Sequence, residues 1–345
     1  MRSLKVVLLS AFLICFFTQP LYAGKFHSLI SSKVSSVPKL DGSGKDPQWG
    51  NAKKLTVQAE DGPEITVQSV YTDNEIYFLV QWEDLTESKS KDKWVYDGSK
   101  WNILQEERIE KTWDADTDRL GFQWPVQDAT LLKGHIQGKE FTFVEKGCAV
   151  ICHSPEKENK MYNAPGQITD IWRWEASTTN PLKYADDWHQ DHINLTITQE
   201  PDKIKRISAA QRGDDLGEGG LNFQPNSVDN MPKWMPKDGP NKPFLIKGEE
   251  VPLDMSKIKK GDTIPGWVLA RPQGSRGNIN AAGKYYEEEI IWVVELSRKL
   301  VTDDKDHDVQ FDDLKKTYYF GLATWENDRL QAHTRVKLPF ALTFN

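Results

Sequence analysis

β-Branched and aromatic residues come in short runs throughout this 345-residue chain, and no stretch repeats them at the helical period. That pattern confines the chain to a mainly β architecture. Residues 65–71 and 76–82 are two such runs, and the link Thr72-Asp73-Asn74-Glu75 between them reads as a hairpin. Residues 120–126 form another strand, ended by its proline. In the extended run over 168–176, Trp172 and Trp174 lie two positions apart and face the same side. Order returns at 265–269, residues 290–296 and 318–325 read as buried strands, and 336–344 is the last strand. With both ends of the chain contributing strands, the pattern predicts a β-sandwich with short helices and long irregular insertions.

Three stretches interrupt it. Residues 83–111 are charged and Lys-rich and read as a solvated excursion. Residues 184–192 carry Asp186, Asp187, Asp191, His189 and His192 and look like a surface loop. Residues 201–252 are rich in Gly, Pro, Asn and Lys and read as an irregular insertion rather than a second core. Within it, Met231 to Pro236 is either a docking loop or a set of packed turns. The thirteen tryptophans suit a large apolar pocket with polar handles, or a Trp-rich β-core.

The chain opens Met1-Arg2-Ser3-Leu4-Lys5, runs apolar over 6–17 and reaches small residues at Ala23-Gly24. A positive start, an apolar core too short to span a bilayer and a small residue at the cut read as a secretory signal over 1–23. The remainder, 24–345, is then a single exported domain, in the periplasm or an equivalent lumen. The leader takes Arg2 and Lys5 from the 44 basic residues, leaving 42 against 51 acidic ones, a formal net charge of −9. That balance favours neither nucleic acid nor an anionic membrane surface. No later apolar run is long enough to cross a membrane.

Chemistry concentrates in Gly147-Cys148-Ala149-Val150-Ile151-Cys152-His153, followed by Met161. Two cysteines with a histidine directly after the second are what a c-type haem needs: two thioether anchors and an imidazole on the iron. The usual spacing has two residues between the cysteines; here there are three, and the extra one is expected to bulge. Cys15 lies in the leader, so Cys148 and Cys152 are the remaining pair, and in an oxidising compartment a disulfide between them is the competing reading. Zinc fits less well, since no second ligand pair follows.

Several markers, in order along the chain, carry a family resemblance. They are Leu40-Asp41-Gly42 with Trp49, the Tyr71 to Trp82 hairpin, Asp118-Arg119-Leu120 into Trp124-Pro125, Pro165-Gly166-Gln167 with Ile171-Trp172-Arg173-Trp174, Ser297-Arg298-Lys299-Leu300, and Leu322-Ala323-Thr324-Trp325. From Leu40 to the C-terminus the chain resembles the haem-binding γ subunits of ethylbenzene dehydrogenase and its relatives, partners of molybdenum enzymes of the dimethyl sulfoxide reductase type. The cysteine motif is similar to that of an exported, c-haem-bearing branch. The resemblance implies a non-covalent haem b beside the covalent haem c. Met161 stands where the family has an axial methionine, and His333 or Lys337 would oppose it. The wall carrying Trp172 and Trp174 would suit a porphyrin face. The covalent haem would take its sixth ligand from His189 or His192, while His27, His135 and His307 have no motif around them and are expected in solvent.

Electron transfer is the function this implies, between a molybdopterin catalytic subunit with its iron–sulfur subunit and a soluble cytochrome c. No nucleophile with an adjacent base and no phosphate-cradling loop points to catalysis by this chain; Gly274-Ser275-Arg276-Gly277 lacks the strand–helix setting of a nucleotide site. A carbohydrate-binding module is the rival, because the Asp-Gly…Trp opening and a Trp-rich sandwich also suit sugar rings. A haem enzyme or gas sensor would need an open iron position.

Overall fold

The computed structural model describes residues 26–104, 117–152, 163–191, 211–218, 220–327 and 333–345. Alternation of apolar residues builds its main sheet. In Glu75–Glu83, Ile76, Phe78, Val80 and Trp82 point to one side and enter the core, while Tyr77 and Leu79 point to the other. The predicted hairpin is present: Glu64–Tyr71 pairs antiparallel with Glu75–Glu83, with Tyr71 opposite Ile76.

Two layers face each other. One runs Tyr318–Trp325, Arg119–Pro125, Thr169–Glu175, Tyr184–Gln190; the other runs Ile279–Tyr286, Ile291–Lys299, Glu75–Glu83, Glu64–Tyr71, Leu55–Gln58. At one corner they join through Tyr184 opposite Asn280 and Ala185 opposite Ile279. At the other, His27–Lys33 pairs in parallel with both Phe340–Phe344 and Glu64–Tyr71. The sandwich is therefore a flattened barrel, with both ends of the chain in one seam.

Aromatic rings fill the space between the layers. Phe78 meets Phe122 at 5.3 Å and Trp124 at 5.7 Å, and Trp124 meets Trp172 at 5.3 Å. Trp174 packs edge-on to Trp292 at 5.0 Å and lies against Gly283, where a Cβ would fall 2.2 Å from its ring. Trp172 and Trp174 do share a side, but it is the filled interior. They are core, and no open porphyrin wall forms there.

The Leu40-Asp41-Gly42…Trp49 opening packs on the outside of the second layer. Buried Glu295 organises it: Oε2 accepts the Asp41 and Gly42 amides at 3.0 and 2.7 Å, and Oε1 accepts the Trp49 indole at 3.0 Å.

Four expectations need correction. The 83–111 stretch is not wholly a solvated excursion, because Lys93–Tyr96 and Trp101–Leu104 form a hairpin that pairs with Thr263–Ile264. The 201–252 insertion does take part in a second, small core: Met235 and Ile264 bury against Trp94 and Trp101. Trp234–Pro236 is a paired strand, so Met231 to Pro236 is packed structure. Residues 184–190 are an interior strand instead of a surface loop. The last strand starts at Phe340, later than residue 336. Among the described residues helices are confined to single turns, and none is long and apolar enough to cross a membrane.

Candidate functional site

The cysteine segment is reached through a small hairpin, Lys133–Ile136 with Lys139–Thr142, and a one-turn helix, Phe143–Lys146. The Glu145 carboxylate accepts the Thr142 amide at 2.7 Å and so fixes that helix's start. Gly147, at φ +59°, then turns the chain. Ala149–Cys152 is a second helical turn, with Val150 and Ile151 buried against Phe143, Val144 and Leu132. The three residues between the cysteines thus complete a turn instead of bulging, and the backbone at 148 and 152 lies one turn apart. The four-residue separation was itself the signal for this.

Cys148 is buried on the outer face of the first layer. Because Phe320, Leu322, Leu120, Phe122, Trp172 and Trp174 point into the core, Gly321, Ala323, Trp325, Gly121 and Ile171 point outward. Cys148 lies on Gly321: a Cβ there would fall 2.9 Å from the Cys148 Cβ and 3.1 Å from its Sγ. Trp325 lies on Gly121 in the same way, with a Cβ 3.0 Å from the indole. His333 packs against Trp325, ring centroids 5.2 Å apart. Cys148 and His333 therefore share one face, beside strand positions 321 and 325, which lie about 13 Å apart.

His153 and Met161 lie outside the described residues, but the residues that bracket positions 153–162 are fixed. Gln190 donates to the Ile151 carbonyl at 3.3 Å and to Asn163 Oδ1 at 2.8 Å, while Asn163 donates back to the Gln190 carbonyl at 2.8 Å. Both ends of the segment therefore meet at one side chain, on the same outer face. Gln190 carried no sequence signal, because its role depends on strand register.

Beside the Ala149–Cys152 turn is an open cleft of about 410 Å³. Ile136, Phe141 and Ala149 give it apolar lining, and Lys139, Lys146, Arg335 and Lys337 surround it with positive charge. Glu60 partly offsets this, 2.7 Å from Arg335 and 3.7 Å from Lys337. Such a lining suits a flat apolar group that bears carboxylates. Lys337, a candidate axial ligand, is exposed and ion-paired with Glu60. Elsewhere on the face, Arg119 and Arg173 each lie 3.1 Å from Glu175. Burial opposes the charge on Glu175, yet Arg119, Lys91 and Arg173 outweigh it and hold the carboxyl below its usual range.

His189 is not available as a ligand to this face. Alternation turns it to the side opposite Gln190, where its Nδ1 meets Asp214 and its ring stacks on His307 at 4.0 Å. His307 is accordingly half-buried and not in open solvent, and His27 is half-buried against Phe340; His135 is exposed as expected. His192 lies outside the described residues.

A closed, flattened β-sandwich with a cysteine-bearing helical turn seated on one outer face defines the class of this protein. The family model described as ethylbenzene dehydrogenase matches residues 34–336, and the chain belongs to that family. No curated protein matches its sequence. Among solved structures, it is similar to a family 9 carbohydrate-binding module from Caldicellulosiruptor kristjanssonii in complex with cellotriose. The identity is 8%, 92% of this chain and 94% of that one are covered, and the TM-score is 0.32. A Bacteroides uniformis protein described as carbohydrate-binding gives 8% identity, 93% and 100% coverage and a TM-score of 0.35. Likeness at that level carries no functional argument.

Proposed function

We propose that this protein is a haem-bearing electron-transfer subunit of a multisubunit oxidoreductase and carries out no bond-making chemistry itself. Membership of the ethylbenzene dehydrogenase family supports the general reading. The observation that carries the finer one is the seating of Cys148 on Gly321, one helical turn from position 152 and next to a cleft lined with cations. Those residues fit a haem. Cys148 and Cys152 would hold haem c through thioethers and His153 would bind its iron, while Lys139, Lys146 and Arg335 would neutralise its propionates. Met161 and His333 would hold a second, non-covalent haem b, which would lie on this outer face, since side chains fill the interior. A haem, when bound, supplies reversible one-electron transfer, and a second axial ligand closes its iron to substrates.

The partners in this reading are a molybdopterin catalytic subunit, an iron–sulfur subunit and a soluble cytochrome c. More narrowly, we assign the chain as the γ subunit of a nitrite oxidoreductase of the kind found in anaerobic ammonium oxidisers, exported to the periplasm or to a lumen such as the anammoxosome. A sugar-binding role with a Cys148–Cys152 disulfide has less support. Of the twelve described tryptophans eight are buried, and the other four, Trp188, Trp234, Trp267 and Trp325, are partly covered. Trp188, for instance, is stacked by Arg173 at 4.5 Å and Arg276 at 4.8 Å.

Haem staining on denaturing gels, with pyridine haemochrome analysis before and after acid-acetone extraction, tests the proposal. The wild-type protein should retain stain after denaturation and yield one further, extractable haem. Cys148→Ala and Cys152→Ala should each lose full covalent attachment. Unchanged staining in both variants, or a purified protein without haem, overturns the reading.

A further inference from the structure

At one end of the sandwich interior five carboxylates cluster, and a single arginine, Arg298, pairs with two of them. Asp170 comes from Thr169–Glu175, Asp187 from Tyr184–Gln190, Asp214 from just past Gln211–Gly213, and Asp304 and Asp308 from the turn after Ile291–Lys299. Asp170, Asp187 and Asp308 are completely buried and Asp214 nearly so. Their ligand oxygens lie close together: those of Asp170, Asp187 and Asp308 within 4.8 Å of one another, and those of Asp214, Asp304 and Asp308 likewise.

The protein's own donors satisfy Asp304, through the His307 ring at 3.1 Å and the Asp306 and His307 amides, but not the rest of this cluster. Arg298 Nη1 reaches Asp170 Oδ2 at 2.7 Å and Asp308 Oδ2 at 3.6 Å. The Val309 amide reaches Asp170 Oδ2 at 2.9 Å, and Asn278 reaches Asp308 Oδ2 at 3.1 Å. His189 takes Asp214 Oδ1. Asp170 Oδ1, Asp214 Oδ2, Asp308 Oδ1 and both oxygens of Asp187 remain buried without a hydrogen-bond donor. Asp187 is the decisive one: a wholly buried carboxylate, aimed at two others, with neither oxygen bonded. Buried carboxylates persist in folded proteins when a cation, a donor or a proton compensates them.

We propose that this end of the sandwich binds one calcium-class divalent cation, held by Asp170, Asp187 and Asp308, with Asp214 and Asp304 completing an oxygen set. The chemistry of the ligands selects the metal. Carboxylate oxygens suit a hard cation, and calcium accepts six to eight of them in loose geometry, whereas magnesium retains its water. Zinc would draw on imidazole or thiolate, and Asp170, Asp187 and Asp308 offer neither. The cation's work is structural. It would fasten two strands of the first layer to the 304–308 turn and, through Arg298, to the second layer. Without it the protonated carboxyls are favoured: burial and then mutual repulsion push Asp187 far up, Asp214 up to about 8 and Asp308 up to about 6. The site is separate from the cysteine-bearing face and does not depend on the haem reading.

Elemental mass spectrometry of the purified full chain, dialysed against metal-free buffer, tests the proposal, with iron read separately. About one equivalent of calcium per chain should remain. EGTA should lower Tm, and added calcium, but not magnesium, should restore it. Asp187→Asn keeps the side chain's shape, removes its charge and should weaken calcium binding about tenfold or more in competition with a chelating dye. Where that variant does not accumulate, Asp304→Asn on the half-buried rim carries the same test and should also bind more weakly. A chain that holds no calcium and whose Tm ignores both EGTA and calcium overturns the proposal. So does an equivalent of zinc or manganese in calcium's place, or a substituted chain with unchanged calcium affinity.

Discussion

Glycines decide where side chains can lie on this protein's outer face, and Gly321 is the one on which Cys148 rests. Any Cβ at that position meets the Cys148 Cβ at 2.9 Å, its Sγ at 3.1 Å and its backbone nitrogen at 3.2 Å. Those atoms are not the free end of a flexible chain; they belong to a turn whose neighbours Val150 and Ile151 are buried. The strain therefore has to move the whole cysteine segment off the sheet. Gly321→Ala should cost about 1–3 kcal/mol in chemical denaturation and reduce covalent haem on a stained gel. Gly50→Ala is the control, since nothing lies within 4 Å of a Cβ there. Equal stability and equal staining in the two variants would remove Gly321 from the site. Cys148 itself was readable from its motif. Gly321 was not, because its importance arises from a contact across more than 170 positions.

Elements were legible where alternation was strong and illegible where polar groups were compensated from far away. The strands around Phe78, Phe122, Trp172, Trp292 and Phe320 follow their apolar pattern, and their sides are the ones alternation assigns. Tyr184–Gln190 was hidden by its own aspartates: its interior place makes sense only with Arg298 and Asp308, which lie more than a hundred residues on. The hairpin at Lys93–Tyr96 and Trp101–Leu104 was hidden for a similar reason. Its charged flanks suggest solvent, yet the Trp94 indole donates to the Asn226 carbonyl at 2.9 Å, and Asn226 in turn holds Trp234 and Pro265 through its side chain. One residue thus ties the excursion to the insertion. Trp94→Ala should empty this small core at a local cost of about 3–5 kcal/mol. Because the core is separate from the central aromatic cluster, hydrogen exchange should accelerate over 93–104 and 226–264 and remain slow at Phe78 and Phe122. Equal acceleration in both regions would show that the two cores unfold as one.

The molecule as a whole is closed by the strand His27–Lys33, and closure is what separates a stable sandwich from an open sheet. This strand runs parallel to Phe340–Phe344 on one side, with His27 opposite Phe340 and Ser31 opposite Phe344, and to Glu64–Tyr71 on the other, with Ser31 opposite Ser69. It buries Leu29 in the main core, and its Ser31 hydroxyl accepts the Ser69 hydroxyl at 2.9 Å. Both layers are therefore joined through seven residues that the local pattern barely marks, since only Leu29 and Ser31 of them are buried. The match to the ethylbenzene dehydrogenase family begins at Val34, just past this strand. A chain cut to start at 34 would keep every family position and lose the seam. Phe340–Phe344 and Glu64–Tyr71 would then each present unpaired backbone groups on an edge, which is a template for pairing with other chains. The loss is larger than the burial of one leucine, about 2–5 kcal/mol, because the backbone bonds on both sides go with it. A chain of residues 26–345 should keep the two layers closed and resist self-association. The chain of 34–345 should melt at lower temperature and elute from size-exclusion chromatography as larger, concentration-dependent species. An unchanged Tm and elution volume for 34–345 would mean that the two layers hold without their seam, and that closure is incidental to this fold.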